Sequence, residues 1–247
     1  MTFTRRIISV YKNNVGDIYL LIPVLGSVVF AWNWVLPADD ALITHRYVNH
    51  FLEHGEPYFN SGDRVLGLSA PGYYLLLTGL STIFPIEIAY KFIASIAYVL
   101  TAVIMYKLLP VSYWPNKLLV SVIFSSNIYY TYWVFSGMET FFIPLLAMIS
   151  LWGVMKKSVV VLVIAFGVAV IFRPEAWIGI FPLVATAVII DRRTSYLSEW
   201  QLTKRSVIGS IGFVFGIYIA MATFILHYYD NFIPSSILAK TLNRRLP

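Results

Sequence analysis

Two adjacent carboxylates, Asp39 and Asp40, are the residues of this chain whose types and spacing best suit proton transfer. They open a polar stretch, 39–72, which lies between apolar segments and holds the largest block of ionisable residues. A single Asp here would suit a helix cap, because its side chain accepts hydrogen bonds from unpaired backbone N–H groups. A second carboxylate adds repulsion between like charges, which raises one of the two proton affinities. At a membrane boundary such a pair suits a general base, and capping by one partner stays open.

The residues that follow have the spacing of an amphipathic helix lying along a membrane surface. Its predicted apolar face carries Ile43, Tyr47, Val48, Phe51 and Leu52, and its predicted polar face carries His45, Arg46, Asn49, His50 and Glu53. His50 and His54 stand one helical turn apart, but no acidic partner at metal-ligand spacing completes a zinc set. A solvated polar face is therefore favoured over a metal site.

Further polar residues stand near the ends of apolar segments and are candidates for substrate contacts. They are His45, Arg46, Arg64, Ser69, Glu139, Arg173, Glu175 and Lys240. Glu139 and Glu175 also suit helix caps, and Lys240 also suits a solvated tail. Arg173 either extends its charge toward water or binds an anion through its planar guanidinium. No cofactor is indicated, and a divalent metal is compatible with such a site although no ligand set predicts one.

The elements around these residues predict a polytopic membrane protein. Of the 247 residues, 59% are hydrophobic and 12% are charged, whereas soluble domains carry about 25% charged residues. Bilayer interiors accept few charges, so this composition favours an all-α membrane protein. The net charge of +6 does not indicate nucleic acid, because no basic run is long enough to follow a phosphate backbone. The chain has no cysteine, which excludes disulfides and thiolate metal sites.

Apolar segments predict about seven spans. They lie at about 18–36, 88–106, 118–135, 141–155, 158–172, 177–190 and 206–226. The first is longer than the apolar region of a signal peptide, so it is predicted to remain as an uncleaved helix. Most Lys and Arg residues between spans share one side, which the positive-inside rule makes cytoplasmic, together with the N-terminus. The short apolar segment 71–84 is then predicted to be re-entrant or interfacial, within an outer-face loop at 37–87.

Five motifs in this order resemble those of the GT-C superfamily of polyprenyl-phosphate-dependent glycosyltransferases, most closely its bacterial arabinofuranosyltransferase-like branch. The motifs are DDALITHRY at 39–47, YFNSGDRVLGLSAP at 58–71, SGMET at 136–140, FRPEA at 172–176 and YYDNFIPSSILAK at 228–240. Leu66, Leu68 and Phe172 depart from the family pattern, in which acidic, aromatic and Thr side chains are usual. Relatives continue with more helices after the Lys240 motif, so the family's C-terminal part is expected to be missing.

The resemblance implies a GT-C-like transmembrane helix bundle, with 1–247 as one module, that acts as an inverting glycosyltransferase. The donor would be a polyprenyl-phosphate-linked sugar, and the acceptor a cell-envelope glycan, a glycolipid or another hydroxyl. Asp39 or Asp40 would take the acceptor's proton, and the sequence does not show which of the two is the base. Arg173, Lys240 and Arg46 would balance the charge of the leaving phosphate. The site would face the periplasm or the exterior of the plasma membrane, with membrane lipids and no nucleic acid as partners.

Two other functions fit the same hydropathy. A lipid-glycan transporter or flippase would place ionisable groups at the membrane midplane and would often have repeated halves. Here the charges gather at one boundary and no internal repeat is visible. An inactive truncated member of the family is the third interpretation.

Overall fold

A computed structural model describes residues 20–62, 64–109, 114–173, 176–194 and 204–229, and the regular structure within these ranges is helical. The helices are α1 Leu21–Trp34, α2 Asp39–His54, α3 Pro71–Ser81, α4 Ile86–Leu108, α5 Trp114–Ser125, α6 Ile128–Phe135, α7 Phe142–Met155, α8 Val159–Phe172, α9 Ala176–Thr194 and α10 Lys204–Tyr228. No β-strand occurs within the described ranges. The predicted all-α class is therefore confirmed for them.

Helix α2 covers the residues predicted to form it, but an Asp side chain does not cap it. The residue before it, Ala38, has extended backbone and contributes no side-chain cap. Asp39 and Asp40 instead occupy the first turn, where carboxylates interact favourably with the helix dipole. The helix ends at Gly55, whose φ of 72° is left-handed and whose N–H donates to the Phe51 carbonyl at 2.8 Å.

The span predicted at 118–135 is formed by two helices, α5 and α6, rather than by one continuous helix. The two helices bend by 56°. Asn127 accepts a hydrogen bond from the Tyr130 N–H at 2.9 Å and so starts a new helix. Just before it, the hydroxyls of Ser125 and Ser126 donate to carbonyls of the preceding turn. Such side-chain bonds compete with helical backbone bonds and often mark a bend.

Two helices, α4 and α10, are by themselves long and apolar enough to cross a membrane. Two consecutive pairs, α1 with α2 and α5 with α6, reach that length only together, and the first pair bends by 75°. The described part of the chain therefore has two candidate spans, or up to four if each bent pair is one span. These apolar helices indicate an all-α, membrane-embedded protein.

The core lies where α2, α3 and α4 meet the start of α7, and tyrosine dominates it. Tyr47, Tyr73, Tyr74, Tyr90 and Tyr98 are all fully buried there. Around this core, α7 and α8 form an antiparallel pair, α9 packs on α7, and α10 packs on α8. Buried aromatic rings supply large contact areas and restrict each other's orientation. These contacts therefore fix the position of α2 relative to α3.

Tyr47 also fastens the loop between α2 and α3. Its hydroxyl donates to the Val65 carbonyl at 2.7 Å and accepts from the Gly67 N–H at 2.9 Å. Earlier in the same loop, the Pro57 carbonyl accepts a hydrogen bond from the Tyr229 hydroxyl at the end of α10. The loop is therefore attached both to its own helix and to the last described helix.

Replacing Tyr47 by Phe should loosen this loop without unfolding the protein. The Gly67 N–H and the Val65 carbonyl each lose a partly buried hydrogen bond, which costs about 0.5–1.5 kcal/mol for each bond. Hydrogen exchange at the Gly67 amide, measured in detergent, should accelerate about tenfold or more. Tyr129→Phe is the control, since that side chain is 75% exposed. Unchanged exchange at Gly67 in the Tyr47 variant would contradict this role.

Candidate functional site

Two hydrogen bonds bring the start of α2 and the start of α3 to one turn, 136–138. The Ala38 N–H donates to the Ser136 carbonyl at 2.8 Å, which places the Asp pair beside this turn. The buried Tyr73 hydroxyl of α3 donates to the Gly137 carbonyl at 2.8 Å. Motifs nearly a hundred residues apart in sequence are thus adjacent in the fold.

The end of α8 joins the same place through close packing. A Cβ on Gly72 would lie 2.6 Å from Cγ2 of Ile171, so only glycine lets α3 approach α8 this closely. Two residues further along, Arg173 follows the end of α8. Four segments, namely the starts of α2 and α3, the turn 136–138 and the end of α8, therefore surround one site.

Asp39 and Asp40 are both exposed at this site. Their backbone is fixed by the first turn of α2 and by the hydrogen bond from Ala38 to the turn 136–138. A substrate could reach either carboxylate without rearrangement of the protein. The pair thus combines a rigid backbone with open side chains, an arrangement that suits proton transfer to and from a bound hydroxyl.

Glu139, which directly follows the turn 136–138, forms an ion pair with Arg173. Nε of Arg173 lies 3.7 Å from Oε1 of Glu139, with 6% of the Glu side chain and 28% of the Arg side chain exposed. The sequence marked both as candidates for substrate contacts. The structure brings them to each other, because a buried carboxylate requires a compensating charge.

A double-mutant cycle should show strong coupling between these two residues. Glu139→Ala or Arg173→Ala alone removes one charge of the ion pair and leaves the other largely buried, which should cost about 3 kcal/mol of stability. The double variant removes both charges and should lose less than the sum of the two single losses. Thermal unfolding in detergent measures all three variants. Strictly additive losses would show that the pair does not interact.

The polar face predicted for α2 is wrong for two of its histidines. His45 and His50 are buried, whereas the apolar Leu42, Ile43 and Leu52 are 40–50% exposed. His50 is satisfied inside the protein: Nδ1 lies 3.0 Å from the Glu56 carbonyl oxygen, and Nε2 lies 3.1 Å from a serine hydroxyl. Burial of a histidine is tolerated when both ring nitrogens have polar neighbours.

His45 lies at the centre of the site rather than in solvent. Its ring stacks on Tyr90 with centroids 5.1 Å apart, and Gly137 lies against the Nε2 edge. Nε2 has no hydrogen-bond partner within the described part of the chain. Burial lowers the pKa of His45 to about 4, so the ring is neutral at physiological pH.

Comparisons with protein-family models, curated proteins and solved structures find no match.

Tyr73 and Tyr90 belong to the site but were not predicted from the sequence, and Gly137 was noted only as part of the motif at 136–140. Burial raises the pKa of Tyr73, and the nearby Glu139 and Tyr90 raise it further. Its hydroxyl therefore stays protonated and donates to the turn. The available signals were weak: a glycine in a short polar turn, and tyrosines within apolar segments. Tyrosine in such segments usually fills a core or a membrane-interface belt.

The other residues predicted for the site form no hydrogen bond or ion pair with Asp39 or Asp40 in the part of the chain that the structure describes. Arg46 is exposed, and its Nε donates to the Phe59 carbonyl at 3.2 Å. Arg64 and Ser69 are exposed in the loop before α3. Glu175 and Lys240 lie outside the described residues. Among those described, no group of three or more His, Asp or Glu side chains could hold a metal ion.

Proposed function

We propose that this protein is a GT-C-type glycosyltransferase that moves a sugar from a polyprenyl-phosphate donor to a hydroxyl of a cell-envelope glycan or glycolipid. The proposal rests on one observation. The hydrogen bond from the Ala38 N–H to the Ser136 carbonyl holds the exposed Asp pair beside the turn 136–138, and the next residue after this turn, Glu139, pairs with Arg173. A base and a cation held close together suit the transfer of a group from a phosphate to a hydroxyl.

In this reaction, Asp39 or Asp40 takes the proton of the acceptor hydroxyl. The acceptor oxygen forms a bond to the anomeric carbon while the bond from that carbon to the phosphate oxygen breaks. The electron pair leaves with polyprenyl phosphate, an anion of low basicity that requires no general acid. Attack from the face opposite the leaving group inverts the anomeric centre. Arg173, and Lys240 outside the described residues, are proposed to stabilise the phosphate charge.

The proposed setting is the outer leaflet of the plasma membrane, with seven spans and a cytoplasmic N-terminus. Helix α3 has 11 residues and is therefore about 16 Å long, which is shorter than a hydrocarbon core of about 30 Å. Helix α2 exposes Leu42, Ile43 and Leu52 beside Asp39, Arg46 and Glu53, a mixture that suits the membrane interface. Both helices would border the cleft through which the lipid donor enters.

Mass spectrometry of a strain that lacks this protein tests the proposal and identifies the substrates. We expect one sugar residue to be missing from an envelope glycan and the polyprenyl-phosphate sugar to accumulate. Expression of the wild-type chain should restore both, and an Asp39→Asn/Asp40→Asn chain present at the same level should restore neither. Unchanged glycans and unchanged lipid-linked sugars would contradict the proposal.

A further inference from the structure

The imidazole of His45 is a buried polar group whose hydrogen bonding is incomplete. The residue is 7% exposed, and Nε2 has no partner within the part of the chain that the structure describes. A buried polar atom without a partner costs about 1–3 kcal/mol. Proteins keep few such groups, and each one that is kept calls for a reason.

Packing does not supply that reason. The ring lies against the face of Tyr90 and the backbone of Gly137, where a Cβ would lie 3.2 Å from Nε2. A phenyl ring would make similar contacts with both residues and would bring no unpaired nitrogen into the interior. If residue 45 served folding alone, the protein would therefore be more stable with phenylalanine than with histidine at this position.

The position and charge of the ring limit what it can bind. His45 lies one turn beyond Ala41 on α2, the helix that begins with Asp39 and Asp40. Because the ring is neutral at physiological pH, it does not balance the charge of a phosphate. A neutral imidazole can instead donate to or accept from an uncharged hydroxyl through Nε2. The cation of the site, Arg173, is paired with Glu139.

We propose that Nε2 of His45 hydrogen-bonds a hydroxyl of the transferred sugar. The proposal rests on the transferase function and adds to it a residue that recognises the sugar rather than the phosphate or the lipid. Gly137 covers Nε2 in this structure, so the hydroxyl reaches it after a small shift of the ring or of the turn 136–138. Changes of this size at binding sites are common.

Two kinds of probe separate the sugar from the rest of the donor: farnesyl phosphate alone, and farnesyl phosphate carrying a sugar, prepared once with a pentose and once with a hexose. Binding of each is measured for the full chain in detergent, with wild type, His45→Phe and His45→Gln. The His45→Phe variant should bind the better sugar-linked probe about tenfold more weakly and farnesyl phosphate as wild type does. Its melting temperature should be equal or higher, because the unpaired nitrogen is gone.

The other variants make the result interpretable. His45→Gln keeps a polar atom near the position of Nε2, so it should retain part of the affinity for the sugar-linked probe, even if His45→Phe folds poorly. In transfer assays it should raise KM more than it lowers kcat. His54→Phe is the matched control, since that side chain is 50% exposed on the same helix. It should bind both probes as wild type does.

The outcomes also separate this inference from the proposed function. If wild type binds a sugar-linked probe and His45→Phe binds it equally well, His45 does not recognise the sugar. Parallel losses for both probes would overturn the inference as well, since they indicate a general distortion of the site. If wild type binds neither the pentose-linked nor the hexose-linked probe, the transferase proposal itself is contradicted and the inference falls with it.

Discussion

Replacement of Asp39 or Asp40 by Asn should abolish most sugar transfer while the protein folds normally. The variant that loses the base should be slower by about 100-fold or more, the usual contribution of a positioned general base. The other variant should lose less, so the comparison identifies the base. Both side chains are exposed and neither caps α2, so stability should change by about 0.5 kcal/mol or less. Initial rates of transfer in membranes measure the effect.

The control for this pair is Glu53→Gln. Glu53 is another exposed carboxylate on α2, but it stands near the opposite end of the helix. It should keep the wild-type rate, which would exclude a general effect of removing negative charge from this helix. If both Asp variants keep the wild-type rate at equal expression, neither carboxylate is the base.

Replacement of Gly137 by Ala should disrupt the centre of the site. Its φ of 78° lies in the left-handed region, which costs a residue with a side chain about 1–3 kcal/mol. The added Cβ would also lie 3.1 Å from Cβ of Ala41 and 3.2 Å from Nε2 of His45. Since the turn accepts hydrogen bonds from Ala38 and Tyr73, its displacement should move the Asp pair. We therefore expect losses of both stability and transfer.

Gly55→Ala separates strain from packing in this experiment. Gly55 has a similar φ of 72°, but a Cβ there would meet no atom within 4 Å. It should lower the melting temperature by the conformational cost alone and leave the transfer rate nearly unchanged. Equal effects of the two substitutions on transfer would contradict the role given to the turn 136–138.

The position of most helices follows from the sequence because apolar runs and their boundary residues are local signals. Gly55 and Pro71 mark the end of α2 and the start of α3, as their backbone preferences require. The break at Asn127 was missed because it depends on side-chain hydrogen bonds inside an otherwise apolar run. Hydropathy alone does not register such bonds.

The buried face of α2 could not be predicted from polarity, and the reason is physical. Polarity identifies the buried face when the surroundings are water, because apolar side chains then move inward. In the proposed membrane setting, lipid around the helix removes that driving force, and packing and hydrogen bonding decide the orientation. Leu42 and Ile43 therefore remain exposed, while His45 is buried.

The segments around the candidate site could be named from the sequence, but their arrangement in space could not. The motifs identified Asp39, Asp40, Glu139 and Arg173, and the structure places these segments together. The pairing of Glu139 with Arg173 and the central position of Gly137 depend on contacts between distant parts of the chain. One sequence contains no direct signal for such contacts.

The central claim, that the Asp-bearing site transfers sugar from a lipid phosphate, is tested most directly in proteoliposomes. The purified full chain is supplied with a labelled polyprenyl-phosphate sugar and with envelope glycans as acceptors. Wild type should release polyprenyl phosphate and label the glycan, and the Asp39→Asn/Asp40→Asn chain should do neither. Movement of the intact labelled lipid across the bilayer without cleavage, or equal cleavage by the Asp-substituted chain, would contradict this claim.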